Sequence, residues 1–291
     1  MKNRYKIAAL ILAIFFLVFL PHNNLLNNVE DAMKDKLVLT KVLFASEQSK
    51  PNETLTAAER KTKQNALIKN LGDALAINDQ SAISIIDLNH NEQFGVNENT
   101  YFHSASVTKL VTALAALRGV ESGKFSLNQP MVVATFQYQF QQMVNQSNND
   151  SWDFFNNLIG FDAQQQVVED LGLQGIDTTK TQMTSGGTAQ FLSKLYQGDL
   201  LNKTDRDLLF SYMQNTETEN RISPAIPNGV TFYHKTGSFN GELHDAGIVL
   251  HPKNPFVIVI FTNDDRGTDW NSRFASFQKA TTEVYNYFDS I

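Results

Sequence analysis

Ser106 and Lys109 stand three residues apart in Ser106-Val107-Thr108-Lys109, heading an apolar run, Leu110 to Leu117, whose composition predicts a helix. That spacing puts both side chains on one helix face, one turn apart. A serine hydroxyl attacks a carbonyl when a neighbouring base takes its proton. A lysine can be that base once burial or a second cation lowers its pKa toward neutrality. The serine N–H, in the first turn, is suited to a developing oxyanion. The same spacing recurs in Ser276-Phe277-Gln278-Lys279, far inside a C-terminal helical pattern. There it reads as surface decoration, so the spacing decides nothing alone.

Two further clusters carry polar chemistry. Ser147-Asn148-Asn149 lies between apolar helical stretches containing Phe140, Met143 and Val144 on one side and Trp152, Phe155, Leu158 and Ile159 on the other. A bend there would project a hydroxyl and an amide into a cleft, although capping or an Asx turn explains the same residues. Ser126-Leu127-Asn128 and Ser238-Phe239-Asn240 share the pattern. The other cluster is His234-Lys235-Thr236-Gly237-Ser238, at the expected end of a strand. Lys235 would offer a fixed positive charge to a carboxylate, and Thr236 or Ser238 would add hydroxyl donors. Gly237 would let a substrate backbone approach closely. A plain strand-end turn is the competing reading.

In the order Ser-x-x-Lys, Ser-x-Asn, Lys-Thr-Gly, the three clusters resemble the serine β-lactamase and penicillin-binding protein superfamily. More narrowly they resemble the class A β-lactamase-like family. The resemblance runs from about Ala66 to Tyr287. It takes in Asp87, Leu171-Gly172-Leu173, Thr184-Ser185, and Arg221-Ile222 through Pro227 to Lys235. It implies Ser106 as the acylated nucleophile, Lys109 as its proton acceptor and Ser147 as proton relay to the leaving nitrogen. Asn149 would hold the substrate amide and Lys109, while Lys235, Thr236 and Ser238 grip the substrate carboxylate beside Gly237. The N–H groups of Ser106 and Ser238 would form the oxyanion hole. Neither metal nor cofactor is implied, and the implied substrates are β-lactams or D-alanyl peptides of the cell wall.

Class A enzymes also carry a Glu-x-x-Leu-Asn loop motif whose glutamate activates the deacylating water, and it is missing here. Between Asn149 and Thr184 the carboxylates are Asp150, Asp153, Asp162, Glu169, Asp170 and Asp177, none in that setting. Glu169 and Asp170 fall on the solvated face of a periodic helix, and the short span Gly175 to Gln182 stands where the loop belongs. The Lys109–Ser147 segment is short as well, which predicts an open pocket. Acylation with slow release is the expectation. A penicillin-binding-protein-like D,D-peptidase, or a wall-associated binding or sensor domain that acylates slowly or never, are the alternatives.

Composition bounds these readings. The 291 residues, 42% apolar and 19% charged, suffice for a sizeable core and exclude fibrous or disordered classes. Zero Cys removes thiolate nucleophiles, disulfides and cysteine lipidation. A net charge of −6 supplies no basic stripe, so nucleic acid is not an expected partner. Lys2, Arg4 and Lys6 precede the apolar run Ile7 to Leu20 and Pro21. Residues 1–21 therefore read as a signal peptide or uncleaved membrane anchor, with the remainder exported to the outer face of the membrane or secreted. Without those three positive residues the remainder carries 21 positive against 30 negative side chains. Residues 22–52 read as a polar linker, with a short helix through Val29 to Leu43.

The domain, 53–291, reads as α+β. Thr56 and Glu59 have capping-box spacing before a helix through Leu75. Ser81 to Leu88 and Glu92 to Val96 form a hairpin. Late strands are expected at Thr231 to His234, Asp245 to Leu250 and Phe256 to Thr262, with Gly237, Gly241 and Pro252 between them. A last helix spans Asn271 to Phe288. Strands at both ends and helices between Val107 and Met213 predict one antiparallel sheet built from both ends of the domain, with an inserted helical lobe. Glu242 reads as a loop-surface residue just past the Lys-Thr-Gly strand.

Overall fold

The computed structural model describes residues 55–75, 80–264 and 269–291. The expected leader and linker, with the Val29 to Leu43 helix, lie outside the described residues.

The capping box forms: Thr56 N–H donates to Glu59 Oε2 at 2.8 Å and Glu59 N–H to Thr56 Oγ1 at 3.3 Å. Behind it runs α1 (Ala57–Leu75), followed by β1 (Ser81–Asp87) and β2 (Glu92–Val96), an antiparallel hairpin in register Ile85↔Phe94. The late strands are β6 (Phe232–Phe239), β7 (Glu242–Val249) and β8 (Phe256–Asn263), and the closing helix, α8, spans Trp270–Asp289. They complete a five-stranded antiparallel sheet of order β2-β1-β8-β7-β6, so the two ends of the domain meet at the β1–β8 pair.

Two-residue periodicity sorts the central strands onto two cores. Val257, Val259 and Phe261 of β8, with Ala82 and Ile86 of β1, join the core shared with the helical lobe. Phe256, Ile258 and Ile260, with Ile83 and Ile85, face the other way onto Leu67 and Leu71 of α1 and Phe277, Val284 and Phe288 of α8. Both faces being covered explains why β1 and β8 read as nearly unbroken apolar runs. Each large side chain so buried contributes about 1.5–3 kcal/mol.

The inserted lobe contains α2 (Lys109–Glu121), α3 (Phe136–Val144), α4 (Asn149–Ile159), α5 (Phe161–Asp170), α6 (Ser185–Gln197) and α7 (Lys203–Tyr212). A small sheet accompanies it, β3 (Tyr101–His103) against β5 (Gln182–Thr184) against β4 (Ile176–Asp177). α2 is buried on nearly every side from Lys109 to Leu117, the expected fate of a helix without a polar face.

Two expectations at the β6–β7 hairpin need correction. β6 is longer than read, so Lys235-Thr236-Gly237 lies inside the strand rather than at its end. The turn is Asn240-Gly241, with φ of 43° and 91°. Such a pair favours the left-handed turn that matches strand twist. Glu242 is the first residue of β7, buried, with its carboxylate 3.3 Å from His244 Nε2, and is not on a loop surface.

Candidate active site

Ser106 lies in a 3₁₀ turn, Ala105–Thr108, that runs directly into α2 and leaves its side chain half-buried. Ala105 is held at φ 48°, a left-handed conformation that costs a non-glycine residue energy and recurs at functional sites. Its neighbours pin it. Ser104 N–H and Oγ donate to Thr181 O at 2.9 and 3.1 Å, and Ala105 N–H donates to His103 Nδ1 at 3.2 Å.

One turn on, Lys109 is buried and its Nζ lies 3.1 Å from Ser106 Oγ. The same amine donates to Ser147 O at 2.5 Å and Asn149 Oδ1 at 2.7 Å, and lies 3.4 Å from Ser147 Oγ. The indole of Trp152 stands 5.7 Å from it. Burial brings the Lys109 pKa down to about 8, against the opposing pull of Asp153 and then Glu217.

Ser147 occupies the bend between α3 and α4 at φ 54°, a second left-handed residue in the site. Asn148 caps α4, its Oδ1 accepting from Ser151 N–H at 2.8 Å, so the bend is also a cap, as the alternative reading of Ser-x-Asn held. Asn145 anchors the bend by donating its Nδ2 to the carbonyls of Tyr212, Gln214 and Asn215 at 3.1, 3.0 and 3.3 Å.

β6 forms the facing wall. Lys235 Nζ donates to Ser147 Oγ at 2.8 Å and to Thr236 O at 3.2 Å. Burial first, then the charges of Lys109 and Arg221, depress its pKa to about 7. A buried amine between two other cations holds its proton less firmly than an exposed lysine does.

His234 N–H leaves the outer edge of β6 for Met213 O at 2.8 Å. Strand alternation sends the N–H groups of Thr236 and Ser238 the same way, off the sheet edge. Gly237 brings the nucleophile's turn against this wall. A Cβ there would sit 3.0 Å from Ser104 O and 3.0 Å from Ser106 N. The space the glycine leaves is thus taken by the chain's own Ser104–Ser106 backbone, where the sequence suggested substrate. Thr236 is buried and Ser238 exposed, with Ser238 Oγ accepting from Arg221 Nη2 at 2.5 Å.

Arg221 and His234, both within stretches that the sequence singled out, support β6 from behind, a role their sequence setting did not reveal. Arg221, buried, donates to Gly237 O at 2.9 Å and to His244 O, and desolvation lowers its pKa to about 10. His234 bridges Asp245 Oδ1 at 2.9 Å and Glu219 Oε1 at 3.0 Å. Burial opposes its charge, but Asp245 and Glu219 outweigh that and raise its pKa to about 9. The β6–β7 register, His234 opposite Gly247 and Thr236 opposite Asp245, makes His234 and Asp245 diagonal neighbours.

A nucleophile, a poised amine, a second hydroxyl and an amide have thus converged from Ser106-Val107-Thr108-Lys109, Ser147-Asn148-Asn149 and Lys235-Thr236-Gly237. The sequence model described as "Beta-lactamase enzyme family" matches residues 62–288. The chain belongs to that family. It is similar to the extended-spectrum β-lactamase PER-1 of Pseudomonas aeruginosa, 24% identical over 69% of this chain and 81% of that one. It is also similar to β-lactamase VEB-1 of the same organism, 22% identical over 66% and 80%. Among solved structures it resembles the β-lactamase of Sphaerobacter thermophilus, with TM-score 0.70 and 19% identity over 78% of this chain and 98% of that one.

In this β-lactamase family member the stretch between α5 and α6 is short. From Leu171 the chain goes straight through β4 and a turn into β5. Asp177 there accepts from Lys180 and Thr179, contacts that hold its pKa at about 2. Glu169 and Asp170 are exposed and accept from Gln165 and Gln166 on the outer face of α5. Among the described hydrogen bonds, none joins these three carboxylates to Ser106, Lys109 or Ser147. Ser276 is half-buried in α8, and its Oγ donates to Ser272 O at 3.1 Å, a bond within its own helix.

Proposed function

We propose that the chain is an exported serine acyl hydrolase that opens a β-lactam, or cleaves a D-alanyl peptide of the cell wall, through an acyl-enzyme on Ser106. The observation that carries the reading is the 3.1 Å approach of a buried amine with pKa about 8 to a half-buried serine hydroxyl. About a tenth of Lys109 is then neutral at pH 7 and can take the Ser106 proton as Oγ bonds the carbonyl carbon. Ser147 Oγ, within reach of Lys109 and Lys235, returns a proton to the departing nitrogen. The amides of Ser106 and Ser238 stabilise the oxyanion, each worth about 3 kcal/mol in sites of this kind. Lys235, Thr236 and Ser238 draw in the substrate carboxylate, and Asn149 holds the substrate amide. Export rests on Lys2, Arg4 and Lys6 before Ile7 to Leu20.

The short Leu171–Thr181 connection supports slow release, since its one carboxylate, Asp177, is taken up by Thr179 and Lys180. A D,D-peptidase would route both half-reactions through Lys109 and Ser147. A binding domain without chemistry has no need of a poised amine beside a reachable hydroxyl. Rapid mixing with a chromogenic cephalosporin tests the proposal: the expected trace is a burst of one equivalent per chain, then slow turnover. Fast linear turnover without a burst contradicts slow release, and no chromophore change with cephalosporin, penicillin or activated ester contradicts the hydrolase reading.

A further inference from the structure

Asp153 stands on α4 four residues after Asn149, on the side of the helix whose contacts run to α2. Asn149 Oδ1 accepts from Lys109 Nζ at 2.7 Å. Three residues beyond Asp153, Asn156 Oδ1 accepts from Gln164 Nε2 at 3.0 Å, and Gln164 Oε1 accepts at 2.7 Å from Thr112 Oγ1. Thr112 is one turn along α2 from Lys109. The adjacent Trp152 donates its Nε1 to the same Thr112 Oγ1 at 3.0 Å and sets its ring near Lys109 Nζ. Asp153 thus sits between two ties that hold α4 to the Lys109 side of α2. Its side chain is exposed, and no described hydrogen bond or ion pair engages it.

We infer that Asp153 is the carboxylate that activates water for hydrolysis of the Ser106 acyl-enzyme, taking the role left open by the missing loop glutamate. The inference rests on the acyl-enzyme reading above. Glu217 stands beside the α3–α4 bend, its N–H donating to Asn145 O at 3.1 Å, near the Ser147 hydroxyl that Lys235 meets. Asp153 stands one turn along α4 from Asn149, the side chain that meets Lys109, where a water can approach the acyl carbon after the nitrogen has gone. The charge of Asp153 also acts on Lys109. In the step, the water oxygen bonds the acyl carbon and its proton passes to the Asp153 carboxylate. Collapse of the tetrahedral intermediate breaks the C–Oγ bond, and the proton returns through Lys109 to Ser106 Oγ. Free acid leaves, and Ser106, Lys109 and Asp153 are restored.

The test uses the full chain and benzylpenicillin. Adduct is formed, excess drug removed, and loss of adduct mass followed at pH 7 for wild type, Asp153→Asn, Asp150→Asn and Glu217→Gln. Asp153→Asn is expected to acylate readily and to lengthen adduct lifetime about hundredfold, within the usual range for a general base. The other two variants are expected to decay like wild type. Equal decay of wild type and Asp153→Asn, no decay in either, or slowing confined to Glu217→Gln overturns the inference alone. Failure of wild type to form any adduct overturns the acyl-enzyme reading and this inference with it.

Discussion

Lys235 Nζ donates to Ser147 Oγ at 2.8 Å, joining a strand of the sheet to a helix bend 88 residues earlier in the chain. Lys109 Nζ lies 3.4 Å from the same oxygen. One hydroxyl thus connects the amine beside the nucleophile to the amine on β6, and it is the point through which a proton can pass. Ser147→Ala is expected to slow acylation about 10²-fold, the low end for loss of a positioned proton-transfer group. Stopped-flow acylation checks this. Unchanged acylation would show that the proton takes another route.

Acylation should follow the charge of Lys109. Burial places its pKa at about 8, so the neutral amine accumulates as pH rises through that value. With an uncharged activated ester, which makes no demand on Lys235, the rate should climb with pH and level off above about 8. Lys109→Arg should abolish it, because a guanidinium does not release its proton. A rate flat from pH 6 to 9 would contradict the assignment of the base.

Gly237→Ala should damage stability and chemistry together. The added methyl would sit 3.0 Å from Ser104 O and Ser106 N, both backbone atoms that cannot rotate aside. Overpacking of this kind costs about 1–3 kcal/mol. Thermal denaturation should show that loss, and acylation should slow as the Ser106 amide is pushed from β6. An alanine variant of wild-type rate would mean that this contact does not position the nucleophile.

His234 gives the fold a defined pH response. Its folded pKa, about 9, lies above the 6.5 of an ordinary histidine because Asp245 and Glu219 overcome its burial. The stabilisation is fully present below pH 6.5 and lost as pH rises through about 9. Lys109 and Lys235 titrate over a similar range but are common to wild type and His234→Gln. The gap in thermal midpoint between those two proteins should therefore narrow from pH 6.5 to 9. A constant gap would show that the imidazolium charge contributes nothing.

Local chemistry wrote much of this fold plainly. The Thr56–Glu59 box, the β1–β2 hairpin and the two-sided apolar strands β1 and β8 depend on neighbours in sequence or on a two-residue period, and each was readable. The ends of β6 and β7 were not, because Lys235-Thr236-Gly237 and Glu242 are polar residues buried inside strands by partners distant in sequence. The three site clusters were readable through their resemblance to a known order of motifs. The meaning of Gly237, the lowered pKa of Lys235 and the His234–Asp245–Glu219 bridge required the pairing of β6 with β7 and its packing on the Ser106 turn. Asp153 was visible as a carboxylate without a motif, and only the ties of α4 to α2 give it a neighbour.

Intact-mass analysis of the full chain after incubation with benzylpenicillin, followed by peptide mapping, tests the account most directly. One added drug mass per chain is expected, located on Ser106 and missing from Ser106→Ala. An adduct that persists in Ser106→Ala, or that maps to another residue, would contradict it.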